Sequence, residues 1–89
     1  MSSPDLGSLR SPAPWPSALG ATIKARRHRL GLSQHDLALL AGVGVRLVHE
    51  LEHGKGSARL DKVVAVLRVL GLQLRVDTGH AGLSVSPDV

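Results

Sequence analysis

The sequence contains no cysteine, no tyrosine and no phenylalanine, and it has only one tryptophan in 89 residues. Without cysteine, the chain has no disulfides, no thiolate metal ligands and no cysteine nucleophile, and this composition points to a reducing compartment. Because aromatic residues are nearly absent, the core must be aliphatic, built from leucine, valine and alanine. Such a core suits packed helices in one small domain.

Long apolar runs are also missing. No stretch is long enough to span a bilayer, and no charged start leads into an apolar signal segment. We therefore expect a cytoplasmic protein with no membrane partner. Eleven lysines and arginines against seven acidic residues give a net charge of +4. This balance favours a polyanionic partner such as nucleic acid, although many small basic proteins bind none.

Proline is concentrated at the start of the chain. Four of the five prolines lie in residues 1–17, MSSPDLGSLRSPAPWPS, which show no apolar period. This pattern predicts a flexible N-terminal arm, from which Trp15 is expected to dock on the adjacent domain. Residues 78–89 are polar and contain glycine, and they are predicted to form a flexible tail. The predicted folded domain is residues 18–77.

Within that domain, apolar spacing predicts four helices that are separated by glycines. Ser33 is the expected N-cap of the second helix, with Asp36 at the capping-box position. The clearest helix is the fourth, which has an apolar stripe at the i, i+3, i+4, i+7 spacing. The predicted ranges are about 18–30, 33–41, 45–53 and 60–70, and the stripe consists of Leu60, Val63, Val64, Leu67 and Leu70.

After Gly71 the apolar period changes from 3.6 to 2. Leu72, Leu74 and Val76 alternate with polar residues, which predicts a half-buried strand. A lone strand has an unpaired edge and needs a partner. We favour the same strand of a second copy, so that these three residues form a dimer interface. Two alternatives stay open: the tail segment LSVS folds back as the partner, or the strand only caps the core of its own chain.

Two short helices joined by a glycine-containing turn describe a helix-turn-helix unit. The stretch RRHRLGLSQHDLALLAGVGVRLVHELEHGK resembles the DNA-binding domain of the Xre/Cro repressor family, in its LSQ, its LA, its turn glycine and its E-x-G. With SARLDKVVAVLRVLGLQLRV, the chain is most similar to HipB-like antitoxins. The resemblance implies a mostly α, lambda-repressor-like helix-turn-helix domain of four to five helices, with one C-terminal dimerising β-strand.

The same resemblance implies a function. A homodimer would place the third helix of each copy in successive major grooves of a palindromic operator, about 34 Å apart, and act as a transcriptional repressor at the nucleoid. As a HipB-type antitoxin, it would repress its own operon and neutralise a HipA-like kinase toxin. The alternatives are a stand-alone repressor of the Xre family and a pure interaction module that does not bind DNA.

The third helix carries most of the candidate DNA contacts. At 100° per residue, Val48 and Leu51 face the core, whereas Arg46 lies on the opposite side. The Arg46 guanidinium suits a guanine edge, and a phosphate contact is the open alternative. Glu50 either accepts from cytosine or orients Arg46. The candidate contacts are Ser33, Gln34, Gly44, Val45, Arg46, His49, Glu50, His53 and Lys55, with Arg59 as a further phosphate ligand.

One expected contact is structural. In the resembled family, the positions of Arg27 and Glu52 form a partly buried ion pair between the first and third helices. Glu52 falls on the core-facing side of the third helix, where a carboxylate needs a partner. The sequence therefore predicts that this pair stabilises the fold.

His49, Glu50 and His53 also spell H-E-x-x-H, the pattern in which a metalloprotease helix presents two zinc ligands and a general base. Against a zinc hydrolase, only His80 follows as a third ligand, and Gly54 ends the helix directly after the pair. About sixty structured residues leave little scaffold for a substrate cleft. We therefore expect no enzyme, no catalytic residue, no metal site and no cofactor, and the hydrolase is kept as a remote alternative.

Overall fold

The computed structural model describes residues 15–76 and 83–87. Four helices are followed by two strands in this part of the chain. They are α1 (Trp15–Arg29), α2 (Gln34–Ala41), α3 (Val45–Glu52), α4 (Leu60–Val69), β1 (Leu72–Val76) and β2 (Leu83–Pro87). The predicted mostly α fold with a helix-turn-helix unit is confirmed. No helix in these ranges is long and apolar enough to cross a membrane.

The predicted capping residues account for the start of α2. The Ser33 hydroxyl accepts from the Asp36 amide at 2.9 Å, and the Asp36 carboxylate accepts from the Ser33 amide at 3.0 Å. This reciprocal pair satisfies two amides that the first turn leaves without helical partners. The hydrogen bond from the Ser33 backbone is also the main reason that the pKa of Asp36 lies below its ordinary value.

The core is aliphatic, as the composition predicts, and it draws on every helix. Val66, which lies off the main stripe of α4, is fully buried, whereas Leu60 on that stripe is exposed because it is the first residue of the helix. Leu30 is also exposed, since it follows the end of α1. The buried apolar residues are Leu19, Ile23, Leu37, Ala38, Val48, Leu51, Val63, Val66, Leu67, Leu70 and Leu72.

The start of α1 differs from the prediction. The helix begins at Trp15 rather than near residue 18, so residues 15–17 belong to the folded domain and not to a flexible arm. Proline fits the first turn of a helix because the amide it lacks has no partner there, and Pro16 occupies that turn. The rest of the predicted arm, residues 1–14, lies outside the described residues.

The pairing of β1 also differs from the favoured prediction. β1 pairs antiparallel with β2 of the same chain, with Leu72 opposite Pro87 and Leu74 opposite Val85. The segment LSVS therefore folds back, and the prediction of a flexible tail is wrong for residues 83–87. β2 begins only seven residues after β1 ends, so pairing within the chain carries a small entropic cost of closure. The side chain of Leu72 is buried in its own core, whereas Val76 is exposed.

Gly20 lets α1 and α3 meet backbone to backbone. A Cβ atom at this position would clash with the Leu51 carbonyl oxygen and lie 2.9 Å from the Glu52 carbonyl oxygen. Both oxygens belong to backbone, so a rotamer change cannot relieve the overlap. The last turn of α3 is therefore seated directly on the first half of α1.

We predict that Gly20→Ala destabilises the protein, because the two helices must separate to admit the methyl group. The expected loss in free energy of unfolding is about 1–3 kcal/mol, as for other overpacked cores, measured by urea denaturation followed by circular dichroism. Gly44→Ala is the matched control, since no atom lies within 4 Å of its added Cβ. Equal losses in the two variants would contradict the close approach.

Candidate nucleic-acid interface

The turn between α2 and α3 is closed by a left-handed glycine. Gly42 has φ 72°, and its amide donates to the Leu39 carbonyl at 3.3 Å. The Val43 amide then donates to the Ala38 carbonyl at 3.0 Å, while the Val43 side chain packs against the core. This pattern satisfies the last carbonyls of α2 and fixes the direction in which the chain leaves it. Gly44 is the N-cap of α3.

The two sides of α3 are divided as the helical count predicts. Val48 is fully buried and Leu51 nearly so. The Arg46 side chain is 89% exposed on the other side of the helix. His49 is exposed, whereas Val45 is half-buried and packs against the core. The structure therefore leaves less of Val45 available for a thymine methyl than the sequence suggested.

Glu50 lies next to Arg46 on the exposed side. Its carboxylate accepts from the Arg46 Nε at 3.4 Å, one helical turn away. An exposed pair of this kind adds little stability, about 0.3–0.5 kcal/mol. It does limit the directions of the long arginine side chain, so the geometry favours the orienting role among the two roles that the sequence left open for Glu50.

His49 and His53 lie over one another at the C-terminal half of α3. Their ring centroids are 4.1 Å apart, with the planes tilted by 37°. His53 Nδ1 is 2.8 Å from the His49 carbonyl oxygen. Because a carbonyl only accepts, this nitrogen carries the proton, and Nε2 of neutral His53 is left as an acceptor. Both rings are exposed, so the pair can contact a ligand on this side of α3.

The two histidines of the H-E-x-x-H pattern have no third metal ligand near them in residues 15–76 and 83–87. No group of three or more histidine, cysteine, aspartate or glutamate residues that could hold a metal ion occurs there. His80 lies outside the described residues. A catalytic zinc site requires three protein ligands, so the geometry adds nothing to the hydrolase alternative.

Arg27 and Glu52 form the ion pair that the family resemblance implied. Arg27 Nε donates to Glu52 Oε2 at 2.6 Å, and Nη2 donates to Oε1 at 2.9 Å. The side chains are only 10% and 1% exposed. Arg27 also donates to the Leu32 carbonyl at 2.9 Å and contacts His28 Nε2 at 3.2 Å. Since arginine has only donors, His28 is the acceptor in that contact.

Gln34 joins this pair, which the sequence did not indicate. Its side-chain amide donates to Glu52 Oε1 at 3.1 Å. Gln34 is predicted to bind phosphate from the start of α2. Its side chain is therefore held against the buried carboxylate of Glu52. Spacing along a chain carries no signal for such a contact, because the two residues are 18 positions apart.

The charge of Glu52 is stabilised by its neighbours. Burial acts to raise the pKa of this carboxyl group, but hydrogen bonds from Arg27 and Gln34 act against it, as do the positive charges of Arg27 and Lys24. The net result is a pKa below the ordinary value of glutamate. The same hydrogen bonding raises the pKa of Arg27 above its ordinary value. Both groups are charged in the folded protein.

The two predicted phosphate ligands after α3 are both on the surface. Lys55 is exposed, and its amide donates to the Glu50 carbonyl at 3.1 Å. Arg59 Nη2 lies 3.0 Å from Asp61 Oδ2, so its charge is shared with the first turn of α4. Lys55 is therefore the more available of the two cations for a phosphate.

Comparison with known proteins identifies the family. A family profile described as a helix-turn-helix domain matches residues 18–81. The chain belongs to the helix-turn-helix family. A relative from Sinorhizobium fredii (strain NBRC 101917 / NGR234), named "Uncharacterized HTH-type transcriptional regulator y4mF", is 39% identical over 61 residues, which span 68% of this chain and 80% of the relative. These matches support DNA-binding transcription regulation as the class of function.

We predict that Glu52→Ala destabilises the fold, because it leaves the Arg27 guanidinium buried without its counter-charge. Breaking a buried pair in this way costs about 3–5 kcal/mol, measurable by urea denaturation. Asp61→Ala is the control, since it removes an exposed partner of Arg59 and should cost about 1 kcal/mol or less. Similar losses in free energy of unfolding would show that the buried pair stabilises the fold no more than an exposed pair does.

The Glu52 variant should also alter the acid dependence of stability. A lowered folded-state pKa adds stability above the ordinary glutamate value of about 4.3, and this stability is lost as the pH falls through the lowered value. The wild-type free energy of unfolding should therefore decrease more steeply with acid than that of Glu52→Ala. Parallel pH profiles would contradict a charged Glu52 in the fold.

Proposed function

We propose that this protein binds double-stranded DNA through α3 and represses transcription. The observation that carries the proposal is the division of α3, whose apolar side is buried while its polar side projects from the domain. A helix held in this way fits the major groove and presents its early side chains to base edges. The preceding helix, α2, would cross the DNA backbone.

The roles of the exposed residues follow from their contacts. Arg46, oriented by Glu50, would donate to the O6 and N7 atoms of guanine. His49 and His53 would meet base edges or phosphates further along the groove. The free amides at the start of α2, near Ser33, and the Lys55 ammonium would bind phosphates. Gln34 would contact a phosphate while its amide stays bound to Glu52.

A homodimer on a palindromic operator is the proposed assembly. Two copies of α3 would lie about 34 Å apart in successive major grooves. Since β1 has a partner in its own chain, the dimer does not need that strand to complete a lone edge. Of the predicted dimerisation residues, Val76 is exposed, whereas Leu72 is buried in the core and the half-buried Leu74 packs against it.

The finer proposal is the antitoxin of a HipBA-like system that acts at the nucleoid in the cytoplasm. It rests on the similarity of LDKVVAVLRVLGLQLRV to HipB-like antitoxins, in which a strand follows the last helix, as β1 follows α4 here. In this proposal the protein represses its own operon and holds a HipA-like kinase toxin. A stand-alone repressor of the Xre family is the alternative. The absence of enzymatic activity stays a prediction.

We predict that Arg46→Ala and Lys55→Ala weaken DNA binding in different ways. Loss of a guanine contact should cost about 1–3 kcal/mol and relax sequence preference, whereas loss of a phosphate contact should weaken all sequences alike and lower the salt slope by about one. The measurement is a gel shift at several salt concentrations, with DNA from upstream of the gene and a scrambled duplex. If Arg46→Ala weakens both duplexes equally, Arg46 contacts phosphate.

We further predict that the tagged protein retains the product of the neighbouring gene in a pull-down, if that gene encodes a kinase-like protein. The antitoxin proposal also expects the complex to shift the upstream DNA more strongly than the protein alone. Strong DNA binding without retention of that product would favour the stand-alone repressor. No binding to any duplex, at low salt as well as moderate salt, would contradict both proposals.

A further inference from the structure

The first turn of α1 covers the loop that carries Lys55. Trp15, which is 47% exposed, lies at this contact. The crevice beneath it has a volume of about 20 Å³, room for about one water molecule. It is lined by Trp15, Leu19, Leu51, Lys55, Gly56, Ala58 and Val63. The tryptophan thus packs against the loop and forms one wall of an open crevice between α1, α3 and α4.

Gly56 allows the first turn of α1 to lie close to the loop that carries Lys55. A Cβ atom at Gly56 would lie 3.2 Å from Pro16 Cγ and 3.6 Å from Trp15 Cζ2. The first two residues of α1 therefore rest on the bare backbone directly after Lys55. An added Cβ would press on the Pro16 ring, whereas its distance to Trp15 is that of ordinary van der Waals contact.

The other side of Lys55 is held by the end of α3. Gly54 has φ 77°, and its amide donates to the Leu51 carbonyl at 3.1 Å. The Lys55 amide donates to the Glu50 carbonyl at the same distance, which completes a glycine-closed helix end. The backbone of Lys55 is therefore fixed on one side by α3 and on the other by the start of α1.

We propose that Trp15 is a positioning residue for DNA binding, which acts by holding Lys55 where it meets a phosphate. The proposal rests on the proposed DNA-binding function. A lysine on a mobile loop loses conformational freedom when it binds, whereas a loop ordered beforehand has less to lose. Trp15 thus supports affinity without touching DNA, and it carries no sequence information.

A double-mutant cycle tests this role. The variants are Trp15→Ala, Lys55→Ala and the double variant, and their affinities for labelled upstream DNA and for a scrambled duplex are measured by fluorescence anisotropy. Trp15→Ala should bind both duplexes about two- to tenfold more weakly. Because Trp15 acts through Lys55, the double variant should be no weaker than Lys55→Ala alone.

Two further variants control for folding. Trp15→Phe keeps an aromatic ring over the loop and should restore most of the affinity. Leu30→Ala removes a side chain of matched exposure, 46% against 47%, at the other end of α1, and should leave affinity unchanged. Circular dichroism melts must place the assay temperature below each transition. If Trp15→Ala is unfolded, Trp15→Leu takes its place in the cycle.

The outcomes separate the inference from the function on which it rests. Wild-type protein that binds neither duplex would overturn the proposed function and the role of Trp15 together. Wild-type binding with an unaffected Trp15→Ala would overturn the role of Trp15 alone. So would losses that multiply in the double variant, because Trp15 would then affect binding independently of Lys55.

Discussion

The buried pair of Arg27 and Glu52 is the interaction on which the position of α3 depends. Two charges are removed from water at the junction of α1 and α3, where their side chains are 10% and 1% exposed. Such burial is favourable only if nearly every donor and acceptor is satisfied. Here the guanidinium binds both carboxylate oxygens and the Leu32 carbonyl. The pair therefore requires one relative placement of these helices.

Gln34 extends this constraint to α2. By donating to Glu52, it links the first residue of α2 to the end of α3. The same few residues thus hold three helices and stand beside the surface proposed for DNA. Polar networks that are fully satisfied specify a unique arrangement more strongly than apolar contacts, which tolerate sliding. We therefore expect this network to act together with the apolar core in holding α1, α2 and α3 in one arrangement.

Much of the fold follows from local patterns. Apolar periodicity predicts the four helices, and the Ser33–Asp36 capping box predicts the start of α2, because both depend on residues within one or two turns of each other. The candidate site is predicted less completely. The exposed side of α3 follows from the helical count, and the Arg27–Glu52 pair from the family resemblance. The contact of Gln34 with Glu52 depends on tertiary packing, for which spacing has no signal.

The differences from prediction have physical causes too. Proline-rich composition suggested an arm through residue 17, but proline is also a good first-turn residue, and Trp15 gains burial against the loop at Gly56. The β1 edge needed a partner, and periodicity alone did not distinguish a second copy from the nearby LSVS segment. In both cases the sequence permits two states, and a tertiary contact selects one.

The close approach at Gly20 has a consequence for how the protein would meet a ligand. The last turn of α3 rests on the α1 backbone rather than on rotatable side chains. Its position is therefore insensitive to rotamer changes in the free protein, and the domain is expected to associate nearly as a rigid body. Encounter would then be limited by orientation and electrostatic steering instead of by a slow rearrangement, and differences among ligands would be expressed mainly in dissociation rates.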